Sequence, residues 1–200
     1  MIRKEYRAAA TKLPFWFMEF RKEVGFLAEG KTFDEIRNLA NDQNVFGAST
    51  PQRAKVIYQT VTARIKSLGD SFYTIFEDSD IATQKLFALA GIMANDTLFF
   101  DFVYEVIREK MLIGSNEYAD SDVRIFFNNK QLQDKKVAGW TDASLNNLRK
   151  SYKNYLFEAG MTDNGKTVRK IKKPILDPIF ENWLKDNDME LIADAMTGEK

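Results

Sequence analysis

The chain has 200 residues, of which 44% are hydrophobic and 29% charged, which is typical of a folded globular protein with its own core. Lys plus Arg and Asp plus Glu both number 29, so the net charge indicates no class of partner. Cysteine and histidine are absent, which excludes disulfides, thiolate nucleophiles, Ser-His-Asp catalysis and zinc sites ligated by Cys or His. We therefore expect a protein without enzymatic activity, bound metal or cofactor.

The first part of the chain carries start and stop signals of short helices. Pro14 opens an apolar-rich segment that ends at Gly30, a C-terminal glycine. Thr32 and Glu35 then have the spacing of a capping box. Ser49-Thr50-Pro51 is a strong helix start, because proline is favoured at the first helical position. Asp80 or Ser79 can cap a further helix, so residues 14–114 predict five or six helices in a compact bundle.

The most apolar stretch runs from Leu86 to Ile107. It contains Asp96, Asp101 and Glu105 and is interrupted at Asn95-Asp96, whereas a spanning helix needs about 20 apolar residues with few or no charges. We therefore predict two buried helices and no membrane association. The charged N-terminus lacks the long apolar run of a signal peptide, which favours a cytoplasmic protein.

From residue 116 the pattern changes. Asp120 or Ser121 can cap one helix, and Thr141 can cap a second that ends at Gly160. The turn signal Asp163-Asn164-Gly165 indicates a small hairpin or wing within residues 161–171, and one or two short helices end near residue 196. The sequence predicts a mainly α fold, with a helical bundle over residues 1–115. Residues 116–200 would form a winged-helix-like module with C-terminal helices.

The segment from Arg149 to Lys173 is the main charge asymmetry, with eight basic residues and two acidic ones. Phosphate backbones need grouped Lys and Arg, because each neutralised phosphate releases condensed counterions. Asn146, Arg149 and Lys153 would also share the helix face opposite an apolar stripe. We predict a nucleic-acid-binding surface of these nine residues: Asn146, Arg149, Lys150, Lys153, Lys166, Arg169, Lys170, Lys172 and Lys173.

Competing interpretations exist for each charged group. A basic run is often only a solvated face, or protects a sheet edge. Arg53, Lys55, Arg64 and Lys66 lie on one predicted helix and offer a second basic surface, for which a solvated face is the favoured interpretation. The carboxylates grouped near residues 78–80, 120–122 and 186–190 could hold Mg²⁺, but caps and turns explain their positions, so no metal site is expected.

Several features of the chain together resemble one known family. They are the run Glu29-Gly30-Lys31-Thr32-Phe33-Asp34-Glu35-Ile36, the later Asn44, the segment from Arg53 through Arg64-Ile65, the run Asp101-Phe102-Val103-Tyr104-Glu105-Val106, and the helix start Trp140-Thr141. The family that they resemble is BrxA, a component of BREX phage-defence systems. The resemblance covers roughly residues 14–176. It implies an N-terminal bundle similar to the RNA-binding antitermination factor NusB, DNA binding without enzymatic activity, and a role in a multi-protein defence system. It supplies no fixed set of binding residues.

The function predicted from the sequence is that of a non-catalytic DNA-binding component of such a defence system. Its partners would be double-stranded DNA, with RNA as the alternative, and other phage-defence proteins. A second hypothesis is an assembly adaptor that binds those proteins and no nucleic acid. A third, a carboxylate-metal nuclease, is disfavoured by the helical pattern.

Overall fold

The computed structural model describes residues 3–199, a mainly helical chain with one small two-stranded sheet. A short 3₁₀ turn at Ala9–Lys12 precedes five helices: α1 (Phe17–Ala28), α2 (Phe33–Asp42), α3 (Pro51–Lys66), α4 (Tyr73–Asp78) and α5 (Ile81–Asn95). A continuous helix follows, Thr97–Leu112, made of α6 (Thr97–Phe102), a π-helical segment (Val103–Arg108) and α7 (Glu109–Leu112). The remaining elements are β1 (Glu117–Ala119), α8 (Asp120–Gln133), α9 (Lys135–Ala138), α10 (Asp142–Glu158), β2 (Val168–Lys170), α11 (Pro178–Asp186) and α12 (Glu190–Thr197).

The predicted helix starts are confirmed where a side chain satisfies the free backbone N–H groups of the first turn. Thr32 accepts from the backbone N–H of Glu35, whose carboxylate accepts in return, so the capping box is complete. Thr50, Asp80 and Thr141 likewise accept from backbone N–H groups in the first turns of α3, α5 and α10.

Two predicted starts are wrong. α1 begins at Phe17 rather than at Pro14, because Trp16 adopts a left-handed backbone (φ 55°) that interrupts the helical path. The cap of α8 is neither Asp120 nor Ser121: Ala119 is the N-cap, and its backbone N–H donates to the carboxylate of Asp122 at 2.8 Å. The carboxylate of Asp120 is therefore available for another partner.

Asp96 divides the long apolar stretch, as predicted. It ends α5 and caps α6, accepting from the backbone N–H groups of Leu98 and Phe99 at 3.1 and 3.2 Å. The chain bends by 112° between the two helices. Within residues 3–199 no single helix is long and apolar enough to cross a membrane, and only this bent pair, taken together, has the length and composition to do so.

The sheet joins β1 to β2 in antiparallel register, with Tyr118 opposite Arg169. The predicted hairpin over residues 161–171 is present only as a single bridge between Thr162 and Ile171. Its turn is held by Asp163, whose carboxylate accepts from the backbone N–H groups of Gly165 and Lys170. The main partner of β2 is thus the strand that precedes α8, which no local turn signal could indicate.

One hydrophobic core contains buried residues from both sides of the predicted division at 115/116. Ring pairs cross that point: Phe99 with Tyr152 at 4.9 Å between centroids, Phe102 with Phe126 at 5.4 Å, and Phe87 with Trp183 at 5.3 Å. The division into two domains stays a prediction. In the packing, each of the two parts buries apolar side chains of the other.

Candidate nucleic-acid interface

A cleft of about 290 Å³ lies between the N-terminal half of α8 and the middle of α10. We call it the basic cleft. Its lining residues are Asp120, Val123, Arg124, Asn146, Arg149, Lys150 and Lys153. Four cations and one carboxylate therefore surround a space that is open to solvent, which is the charge distribution that an anionic ligand requires.

The sequence of α10 places its cations on the cleft side. The helix buries an apolar stripe that includes Leu145, Leu148 and Tyr152, as predicted. Arg149 lies half-buried at its edge, donating from Nη1 to Asn146 Oδ1 at 3.0 Å, with its guanidinium carbon 5.7 Å from the centroid of the Phe127 ring. These contacts orient the guanidinium before any ligand arrives, and the side chain of Lys150 is exposed beside it.

Lys153 connects three elements. Its ammonium forms an ion pair with the carboxylate of Asp120 at the start of α8, at 2.7 Å. Its backbone carbonyl accepts from Nη1 of Arg169 on β2 at 2.9 Å. Arg169 also donates to Asn164 Oδ1 at 3.4 Å, so it fastens the turn to α10. Both cations hold the surface together and are less free to reach a ligand than exposed Lys150.

The turn and the end of β2 carry four further predicted cations, Lys166, Lys170, Lys172 and Lys173, all exposed. The pKa of Asp163 lies below its usual value, because its carboxylate accepts backbone hydrogen bonds from Gly165 and Lys170 and feels the positive charges of Lys170 and Lys172. Those two lysines therefore lie near the turn. For Lys166 and Lys173 the structure gives exposure alone.

One lining cation, Arg124, is not identified by the sequence pattern. Asp120 faces Lys153, and a residue four positions later on the same helix lies on the same face, one turn further along. Arg124 therefore points into the basic cleft beside Lys150. The four-residue spacing places Arg124 in the cleft only once Asp120 is known to face α10. The sequence instead favours a capping role for Asp120.

The second basic surface considered on α3 does not form as a group. Arg64 is buried and donates to the backbone carbonyls of Phe15 and Pro14 at 2.6 and 3.0 Å. Arg53 lies half-buried with its guanidinium carbon 4.7 Å from the centroid of the Trp16 ring. Both arginines therefore hold the segment before α1 in place. Of the four basic residues on α3, Lys55 and Lys66 remain exposed.

The model of the BrxA family matches residues 4–188. The chain belongs to the BrxA family. A BREX protein BrxA of Bacillus cereus (strain H3081.97) is 36% identical over 194 residues, covering 97% of both chains. Another, from Paramagnetospirillum magneticum (strain ATCC 700264 / AMB-1), is 24% identical and covers 92% of this chain and 89% of that protein. The resemblance found in the sequence is thereby confirmed.

The BrxA fold is also found in a solved structure. A crystal structure of a protein from Magnetospirillum magneticum superposes with a TM-score of 0.81, at 20% identity, over 98% of this chain and 100% of that one. This similarity establishes the fold of the BrxA chain over nearly its whole length and carries no information about ligands.

Three of the carboxylates weighed as metal ligands have other roles in this chain. Asp80 caps α5, Asp120 pairs with Lys153, and Asp122 accepts from Ala119 and pairs with Lys110 at 3.0 Å. Among residues 3–199 no group of three or more potential ligands converges on one point.

Proposed function

We propose that the chain is a non-catalytic component of a BREX phage-defence system that binds duplex DNA. Membership of the BrxA family supports a role in defence and partners among the other proteins of such a system. The observation that carries the DNA-binding proposal is the basic cleft between α8 and α10. It is accompanied by exposed Lys166 in the turn before β2 and by the exposed lysines at the end of β2 and after it, Lys170, Lys172 and Lys173.

The order of elements supports a winged helix-turn-helix. The helix Thr97–Leu112 is followed by β1, α8, the four-residue helix α9, α10, the turn at residues 163–167 and β2, and β2 pairs back to β1. In helix-turn-helix proteins the second helix of the motif enters the major groove. In our proposal α10 is that helix, Asn146 and Lys150 are its exposed polar side chains, and the turn is the wing. The likeness of the N-terminal bundle to NusB remains a prediction from the family.

The chemistry of the surface favours contacts to phosphates. Lysine predominates, and an ammonium is a point charge that suits a phosphate oxygen without reading a base edge. Asn146 could read adenine, because an amide can form paired hydrogen bonds with that base, and Arg149 could read guanine in the same way. The lysines outnumber these two side chains, so contacts to phosphates should predominate. We therefore expect affinity that depends strongly on salt and only weakly on sequence.

The test is a fluorescence-anisotropy titration of the full chain against unrelated duplex DNA and duplex RNA at two salt concentrations. For wild type, log K should fall linearly with log salt, by about 0.9 for each phosphate contact on B-DNA. The triple variant Lys150→Glu, Lys166→Glu and Lys170→Glu changes exposed side chains only, so it should fold, bind DNA about tenfold or more weakly and show a shallower slope.

Two matched pairs of variants sharpen this test. Lys55→Glu reverses an exposed helical lysine on α3 and should bind like wild type, in contrast to Lys150→Glu. Asp120→Asn removes the one carboxylate of the cleft and should raise affinity about threefold at low salt. Asp34→Asn, an equivalent change in the first turn of α2, should have no effect. Absence of binding at low salt, or equal binding by the triple variant, contradicts the proposal.

A further inference from the structure

A second surface of different character lies on the other side of α8. It is a groove of about 230 Å³ between α8 and the helix Thr97–Leu112, and we call it the acidic groove. Its lining residues are Glu105, Val106, Glu109, Lys110, Ile113, Asp122, Ile125, Phe126 and Asn129. We propose that the acidic groove docks an amphipathic helix of another protein, one that presents Lys or Arg beside aliphatic side chains.

Apolar side chains are exposed along this groove without covering. Ile113 is 75% exposed and Ile125 58% exposed. Leu132 does not line the groove, but it lies two turns after Ile125 on α8, on the same side of that helix, and is 87% exposed. Grouped apolar side chains on a surface mark protein contact sites, whereas scattered single ones do not. The volume lies below the range of about 300–1,000 Å³ that is usual for small-molecule pockets, so the groove suits side chains of a partner better than a metabolite.

Three carboxylates and one cation line the groove. The cation, Lys110, pairs with Asp122 at 3.0 Å, so the acidic character of the groove comes from Glu105 and Glu109. Glu105 pairs with Lys130 at 2.6 Å and Glu109 with Arg108 at 3.0 Å, but the two cations are buried whereas the glutamate side chains are 47% and 54% exposed. Each pair therefore turns its carboxylate to solvent and its cation to the core. A partner that touches this rim meets the carboxylate oxygens first, which favours Lys or Arg.

The shape of the site favours a helix as the occupant. The groove runs between two helices, and Ile125 and Leu132 follow each other at the i, i+7 spacing that meets an apolar helix face. The wall that carries Glu105 and Val106 is the π-helical segment Val103–Arg108. Such segments are rare and frequently lie at functional sites, because they reorient side chains that a regular helix would place elsewhere.

The acidic groove and the basic cleft use opposite faces of α8. Asp120 and Arg124 line the cleft, whereas Asp122, Ile125 and Asn129 line the groove. With about 100° of rotation per residue, the two sets lie about 150° apart around the helix axis. A protein in the groove and nucleic acid in the cleft would not compete, so this inference does not depend on the proposed DNA binding.

The experiment uses the full chain and a fluorescein-labelled synthetic helix of about 18 residues, five turns, with Leu on one face and Lys on the other. The same peptide with Glu in place of every Lys is the charge control. We expect the Lys peptide to bind and the Glu peptide not to. Ile125→Glu, a change at an exposed site, should weaken binding about tenfold, and Glu105→Gln with Glu109→Gln should weaken it about threefold. Lys150→Glu, in the basic cleft, should leave it unchanged.

Equal affinity of wild type and Ile125→Glu for the Lys peptide overturns the proposal. Sedimentation velocity provides an independent test: a wild-type dimer that Ile125→Glu converts to monomer would overturn it too, because a second copy of this chain would then occupy the groove. Saturating duplex DNA should leave peptide affinity unchanged. If DNA itself does not bind while the peptide results hold, the proposed DNA binding fails and the docking groove stands.

Discussion

Glu23 is a carboxyl group inside the N-terminal helices, where it accepts a hydrogen bond from the hydroxyl of Thr62. Its Oε2 has no hydrogen-bond partner among residues 3–199. Burial raises its pKa to about 8, against the smaller opposing effects of Thr62 and of the charge on Lys66. A carboxyl group that favours its neutral form in the folded state makes stability depend on pH.

The direction follows from proton counting. Between the ordinary value of 4.5 and about 8, the folded state keeps the proton on Glu23 and the unfolded state does not. The free energy of unfolding therefore falls as pH rises through this window, by about 1.4 kcal/mol for each pH unit at most. Glu23→Gln should flatten that fall and be the more stable protein at pH 8, as measured by urea unfolding at several pH values.

Glu19→Gln, on the same helix but outside the core, is the control and should keep the wild-type pH profile. Parallel profiles for wild type and Glu23→Gln would mean that the buried carboxyl does not set the pH dependence.

Helix boundaries were largely predictable because their chemistry is local. Thr32 with Glu35, Thr50 with Pro51, Asp80 and Thr141 each act within one turn of their own helix. The pairing of β1 with β2 was not predictable, because it joins segments on either side of α8 and α10 without a shared turn. For the same reason the sequence predicts the basic segment, residues 149–173, but not the residues of other elements that pack against it. The pairing of Asp120 with Lys153, the position of Arg124 in the cleft and the burial of Arg64 depend on tertiary packing.

The turn before β2 offers a test at the scale of an element. A Cβ added at Gly165 would lie 1.9 Å from the backbone oxygen of Val168, so the turn must shift. Gly165→Ala should cost about 1–3 kcal/mol of stability and weaken DNA binding, because a shifted turn displaces Lys166 within it and Lys170 at the end of β2. Thermal unfolding and anisotropy measure the two effects.

Gly139→Ala is the matched control. Its Cβ would meet the carbonyl oxygens of Lys136 and Lys135 at the ordinary contact distances of 3.6 and 3.9 Å, so both stability and DNA affinity should stay close to wild type. Wild-type DNA affinity in Gly165→Ala would show that the turn does not contribute to the interface.

The whole molecule shares one core, and this predicts how it unfolds. The ring contacts of Phe99 with Tyr152 and of Phe87 with Trp183 would be lost if residues 116–199 separated from the rest. We therefore expect a single cooperative transition, because neither part can keep its apolar surface covered alone. Circular dichroism and the fluorescence of single-tryptophan variants that retain either Trp16 or Trp140 should give coincident urea curves. Two separate midpoints would instead establish the division at 115/116 as a thermodynamic one.

α8 is a single helix, and its thickness sets a length scale. A helix with its side chains is about 10–12 Å across, so ligands on its two faces would be held within roughly that distance of each other. If both surfaces act as proposed, a partner in the acidic groove would meet the phosphate backbone at an effective concentration on the order of millimolar. Such a partner would need little affinity of its own for DNA, because α8 would hold it beside the bound duplex.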